Sequence, residues 1–246
     1  MSTVIAALDF GPVWEQRGEL LKGIGTMAIV SVVSFLLAIA GGLILAAMRR
    51  SRSAPIRVVG FLLIQVMRGI ALYVLLLWLF FGVAAAGGFQ LEPVPTGILA
   101  LALLNSAYLA EIFRAGHDAV PVGQEEAARA LGLPRRTWFT RVQLPQVTHI
   151  TLPAVGNVFV DIIKDTSVLS IVGVTELLRE SQRWAQFYSL PFEFYTAAAA
   201  IYLLIVVLVT IAWRRLEAYS GRHLHVQQVR RPRRLLFGLG TLPNVK

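Results

Sequence analysis

The chain has 246 residues, of which 56% are hydrophobic and only 15% charged, and its mean hydropathy is +0.66. A soluble domain is about a quarter charged, so this composition excludes an ordinary soluble protein and points to a membrane-embedded one. With no cysteine, disulfides, Cys-ligated zinc or iron–sulfur centres and thiol nucleophiles are excluded as well.

Residues 1–22 lack a basic start and carry Asp9, Glu15 and Glu19, unlike a secretory signal. The stretch Ala7–Glu19 is expected as an amphipathic segment on the outer surface. Gly23–Met48 is free of charge and meets Arg49-Arg50. Val58–Leu91 is apolar except for Arg68, with length for one span and an outer turn. Pro93–Ala110 is uncharged up to Glu111, and Phe194–Trp213 up to Arg214-Arg215. Val142–Val160 is uncharged too, although Pro145 and Pro153 interrupt it. A crossing needs about 20 apolar residues, so five spans are predicted: an all-α transmembrane bundle over 23–217, with an external segment 1–22 and a basic tail 218–246.

The charge of +9 follows the spans. Arg49, Arg50, Arg52 and Arg57 fill the first loop, five arginines fall within 111–149, and the tail from Arg214 holds eight Lys or Arg. The opposite side has only Arg17, Lys22, Arg179 and Arg183. The excess of cations marks the cytoplasmic side, which predicts an external N-terminus and a cytoplasmic C-terminus in the inner membrane. The surplus is a topology and lipid-headgroup feature rather than a nucleic-acid footprint.

The loop between the third and fourth spans, 121–145, reads as ordered helix. Pro121 suits a helix opening, Gln124–Leu131 is made mostly of strong helix formers, and Glu125 and Glu126 favour the positive end of the helix dipole. Gly132 falls where a left-handed residue ends a helix, and Pro134 forbids continuation. A second helix is expected from Pro134 toward Val142, ending at Leu144-Pro145. Ala127 and Ala128 give the first helix a thin flank, suited either to docking another protein or to the chain's own packing.

Glu126-Ala127-Ala128, then Gly132, then Val142-x-Leu144-Pro145 resembles the "EAA" loop of ABC-importer permeases, with Val142 in place of Ile. Ser106–Arg114, Lys164-Asp165-Thr166-Ser167, Arg68-Gly69 and Gly173–Leu178 are similar to the polar amino acid uptake branch. The resemblance spans roughly residues 20–217. One departure stands out: the branch has Arg-Gly-Thr-Pro where this chain has Arg68-Gly69-Ile70-Ala71. Loss of the proline predicts a straighter second helix and a shifted substrate or partner preference.

The resemblance implies a type I importer permease with a short cytoplasmic coupling helix. It implies a transport subunit rather than an enzyme, with ATP and magnesium on partner ATPase subunits and no cofactor or metal on this chain. An external solute-binding protein and a second permease, identical or related, complete such an assembly. The chain has no Gly-rich Lys-Ser/Thr phosphate loop of its own. ATPase coupling falls to Glu126, Ala127, Ala128, Gly132, Leu144 and Pro145, and Gly132→Asp or Ala127→Trp is expected to abolish transport. The alternative is a self-sufficient channel or ion-coupled transporter.

Ionisable and polar groups within spans are costly and normally paired or functional, so they are the candidates for the translocation path. Arg68 lies about 15 Å past Val58 along a helix and needs either an ion-pair or carbonyl partner, or a substrate carboxylate. Asn105 and Tyr108 are expected on one helix face, with Glu111 at the cytoplasmic mouth or paired to Arg114. Asn157, Asp161, Lys164 and Asp165 form a stripe at helical spacing, with Lys164 able to reach Asp161. Thr166 and Ser167 add hydroxyls that either bond back to the helix or touch solute.

Overall fold

The computed structural model describes residues 8–88 and 91–221, and every regular element among them is helical. A short α1 (Gly11–Glu15) precedes α2 (Arg17–Arg49), α3 (Ala54–Gly69) and α4 (Leu72–Leu77). A widened turn, Trp78–Val83, leads into α5 (Ala84–Gly87), followed by α6 (Pro93–Asp118). Then come α7 (Val122–Ala130), α8 (Arg135–Trp138), α9 (Leu144–Asp165), α10 (Leu177–Tyr188) and α11 (Pro191–Gly221). The cluster Arg230, Arg231, Arg233 and Arg234, with the rest of the tail from 222, lies outside the described residues.

The segment expected over Ala7–Glu19 is not one helix. Ala7 lies outside the described residues, α1 stops at Gln16, and Glu19 already belongs to α2. At 33 residues, α2 is about 50 Å long, starting well before the expected Gly23.

The core forms where α2 meets α6. Gly42 lets the backbones close up: a Cβ there would stand 2.8 Å from Leu109 Cβ. Ser34 lies beside Ile98 near one end of this seam, donating to its carbonyl at 3.4 Å, so α2 and α6 run in the same direction. The intervening α3 returns between them, with Gly60 against Met48 and Ile64 packed with Ala46 and Ala107. From the far end, α9 runs back along α6, with Thr151 beside Gly116 and the turn after it bringing Leu169 to Gly97. Finally α11 runs antiparallel to α9: Trp213 Nε1 donates to the Leu152 carbonyl at 2.9 Å. Phe35, Phe159 and Trp213 lock α2, α9 and α11 together, with ring centroids 4.7–6.1 Å apart.

By length and composition α2, α6 and α11 can each cross a membrane, and the broken pair from Ala54 to Gly87 supplies a fourth passage if it is one span. With 22 residues, α9 has sufficient length but carries the polar stripe. The alternating directions are compatible with five crossings.

The second apolar segment contradicts the straight helix expected from its missing proline. Its halves meet at 104°, because Ile70 and Ala71 both adopt extended backbone (ψ 134° and 139°). Burial, rather than proline, sets the bend. Leu75, Leu76 and Leu79 after the break are sunk in the main core, with Ile70 and Leu72 packed against it, and that apolar area is lost if the helix continues straight.

Candidate functional site

The loop after α6 folds as a capped rod. Pro121, in extended backbone, precedes the first residue of α7. At the other end Gly132 has φ +67°, the left-handed conformation expected of it. The amide of Leu133 donates to the Ala128 carbonyl and that of Gly132 to the Arg129 carbonyl, both at 3.0 Å. This paired closure satisfies carbonyls that a helix end otherwise leaves open.

The two alanines of the thin flank face different ways. Ala128 is 5% exposed and packs with Val120 and Trp138, backed by Val142 and Val147. It seats the rod on its own chain, the packing alternative for this alanine. Glu126 and Ala127 are exposed, as is Gly132. A Cβ on Gly132 would meet open space, so this glycine serves the sign of φ rather than a close approach within the chain. Gly132→Val is therefore expected to cost about 1–2 kcal/mol and speed hydrogen exchange over 128–134. Gly132→Asn, tolerated in that conformation, is expected to stay near wild type. Equal exchange in both variants contradicts the backbone role.

One hydrogen bond ties the rod to α9, and another ties Gln143, beyond the rod, to α6. Gln146 Nε2 donates to Gln124 Oε1 at 2.6 Å, and Gln143 bonds His117 Nε2 at 2.8 Å. Beyond the loop, α8 does not stop at Leu144-Pro145 as expected. It passes through a widened turn, Phe139–Gln143, directly into α9. Pro145 directly follows the widened turn, whose altered hydrogen-bond pattern accommodates the missing N–H. Leu144 is exposed and Pro145 half-buried. Within the chain α7 is thus joined to α9 by Gln124 and Gln146 and seated on Val120 and Trp138 through Ala128.

The other candidates divide. Arg68 is exposed and has no ion pair among the described residues; its guanidinium lies over the Tyr108 ring, 5.5 Å from the centroid. Asn105 does not share that face: it is buried, and Nδ2 donates to the Leu101 carbonyl at 2.8 Å. Glu111 pairs with Arg114 at 2.8 Å, and Arg114 also holds Asp118. On α9, Asn157, Asp161 and Lys164 are all exposed, with Lys164 bound to Asp161 at 2.7 Å. Asp165 is half-buried at the helix end. Thr166 donates to the Ile163 carbonyl and Ser167 to the Lys164 carbonyl, each at 2.7 Å.

Sequence reasoning assigned no role to Glu176, which sits at the opposite end of the bundle from α7. It is fully buried, caps α10 by accepting from the amides of Leu178 and Arg179 at 2.8 Å, and accepts from the Tyr202 hydroxyl at 2.6 Å. Burial pushes its carboxyl above the ordinary range, opposed by these three donors. An acidic residue directly before the run Leu177-Leu178-Arg179-Glu180 was the available sign of a helix start.

Membrane-length helices packed into one bundle, with a short capped rod at one end, define an integral membrane subunit. The chain belongs to the family of binding-protein-dependent transport system inner membrane components, whose pattern matches residues 38–218. It is 32% identical over 229 residues to the nopaline transport system permease protein NocQ of Agrobacterium fabrum, covering 87% of this chain and 97% of that protein. It is 34% identical over 198 residues to the L-cystine transport system permease protein TcyB of Bacillus subtilis, covering 78% and 84%. Among solved structures, the crystal structure of an amino acid ABC transporter with histidines superposes with a TM-score of 0.80 at 31% identity, covering 89% of this chain and all of that one.

Proposed function

We propose that this chain is the permease subunit of an ATP-driven importer for a polar amino acid or a related zwitterion. It pairs with a second permease, identical or related, and works with two cytoplasmic ATPase subunits and an external solute-binding protein. ATP and magnesium belong to the ATPases. Five crossings of an inner membrane over 23–217 leave 1–22 outside and the 218–246 tail, with α7, in the cytoplasm. The arginines at the α7 end of the bundle support that orientation.

The observation that carries the reading is the α7 rod. It is nine residues long and capped at its C-terminal end, Ala128 anchors it inward, and Glu126 and Ala127 are offered outward. In this reading an ATPase grips that outward face together with Leu144 and the Gly132 turn, and closure on ATP moves the rod with α6 and α9. The relatives named for nopaline and L-cystine support a zwitterionic amino acid-like solute. The test is uptake of such solutes into vesicles holding the assembled complex: import is expected to require internal ATP and to stop with vanadate. Import that persists without ATP overturns the reading in favour of a self-sufficient transporter.

The path is assigned to the exposed polar groups Arg68, Tyr108, Asn157, Asp161 and Lys164, with Glu111 and Asp165 nearer its ends. Asn105, Thr166 and Ser167 serve the helix backbone beside it. Asn157→Leu changes an exposed side chain, so stability is expected to stay within about 0.5 kcal/mol. Solute preference, measured by competition against uptake of one labelled amino acid, is expected to shift by about 10–150-fold, the effect of one lost hydrogen bond to a charged group. An unchanged competition profile removes Asn157 from the path.

A further inference from the structure

At the α7 end of the bundle, a cavity of about 650 Å³ opens between the last turns of α2, the end of α6 and the first half of α9. Its walls are mostly apolar, among them Leu43, Ala47, Val147 and Leu152, and Arg50 stands among its lining. From Ile39 to Arg50, just past its end, the lining follows α2 for eleven residue steps, about 16 Å along the axis. That depth matches half of a hydrocarbon core about 30 Å thick, which is one leaflet. The cavity therefore has the reach of a single acyl chain with its headgroup level with Arg50.

The charges choose the headgroup. Arg114, also in the lining, is neutralised by Glu111 and Asp118, and His117 is engaged by Gln143. Arg50 makes no ion pair among the described residues, and Arg49 and Arg52 flank it in sequence. An uncompensated guanidinium at the mouth of an apolar slot between helices suits a phosphodiester bearing net negative charge. We propose that this cavity binds one anionic phospholipid, its acyl chain between α2, α6 and α9 and its phosphate on Arg50. Bound there, the lipid also touches Gln143 and Val147, beside the joint from which α7 is held.

The test is native mass spectrometry of the full-length chain in its assembly, purified in mild detergent with equal amounts of phosphatidylglycerol and phosphatidylcholine. Wild type is expected to retain phosphatidylglycerol about tenfold over phosphatidylcholine, the value of one charge-assisted contact. Arg50→Gln is expected to bring the ratio near one, whereas Arg57→Gln, a neighbouring cation outside the cavity, leaves it unchanged. Ala47→Trp, which fills the slot from an exposed position, is expected to reduce retention of both lipids. On the unaltered chain, phosphatidylglycerol carrying a diazirine in its acyl chain is expected to label 39–50 and 144–155. The proposal is overturned by a wild-type ratio of one, by unchanged retention in Ala47→Trp, or by labelling confined to other helices. Displacement of the lipid by soluble glycerol phosphate also overturns it, in favour of a plain phosphate site.

Discussion

Ala127→Trp is expected to reduce ATP-driven uptake at least tenfold while the subunit reaches the membrane in normal amount and its melting temperature is unchanged. Ala127 is exposed on α7, so the indole meets nothing within the chain. It meets instead whatever grips the rod. Forcing a large side chain into a fitted interface costs about 1–3 kcal/mol, which is about 5–150-fold in association, and the ATPase should accordingly be lost on purification. Ala127→Ser, nearly isosteric, should keep both binding and uptake. The neighbouring Ala128→Trp separates the two roles: at 5% exposure against Val120 and Trp138 the added ring disorders the loop itself, seen as rapid proteolysis near 121–145. Wild-type import by Ala127→Trp, with the ATPase still bound, removes α7 from energy coupling.

The ends of α7 were legible because they are decided by local backbone chemistry. Pro121 opens the helix, Gly132 supplies the positive φ that closes it, and Pro134 prevents continuation. The apolar spans were legible for an equally local reason, since an uncharged run beside paired arginines needs no tertiary information. Directions of side chains were not. A nine-residue helix with one weakly apolar face does not reveal that Ala128, and not Ala127, turns onto Trp138. Nor does i, i+3 spacing foretell that Asn105 is turned to its own Leu101 carbonyl while Tyr108 faces out beneath Arg68.

The bend at Ile70–Ala71 illustrates the same limit at larger scale. Proline is one way to break a helix, so its absence argued for a straight one. The stronger term was burial of Leu75, Leu76 and Leu79 against α6 and its neighbours, a contact whose existence depends on segments far along the chain. Pro145 errs in the opposite sense, read as a stop yet absorbed by the widened turn that precedes it. Prolines and glycines report on their own residue; which helix continues past them is settled by packing.

The second large effect is expected far from α7. Glu176→Ala should lower the melting temperature of the detergent-solubilised chain by about 10 °C or more. Removing this fully buried carboxylate leaves three part-buried donors without their acceptor: the amides of Leu178 and Arg179 and the Tyr202 hydroxyl. Each buried donor left unsatisfied costs about 1–3 kcal/mol, and one kcal/mol moves the midpoint by about 2–4 °C in a chain of this size. The place is also a junction of three helices. Tyr202 belongs to α11, Glu176 caps α10, and the Leu177 backbone lies 3.0 Å from where a Cβ on Gly23 of α2 would stand. Tyr202→Phe alone removes one donor and leaves the cap in place, so a smaller loss is expected. In the double variant Glu176→Ala/Tyr202→Phe the stranded hydroxyl is gone, and the combined destabilisation should fall short of the sum by about 1 kcal/mol or more. Strict additivity in that cycle shows that the hydroxyl and the carboxylate do not depend on each other, and Glu176 then acts through its cap on α10 alone.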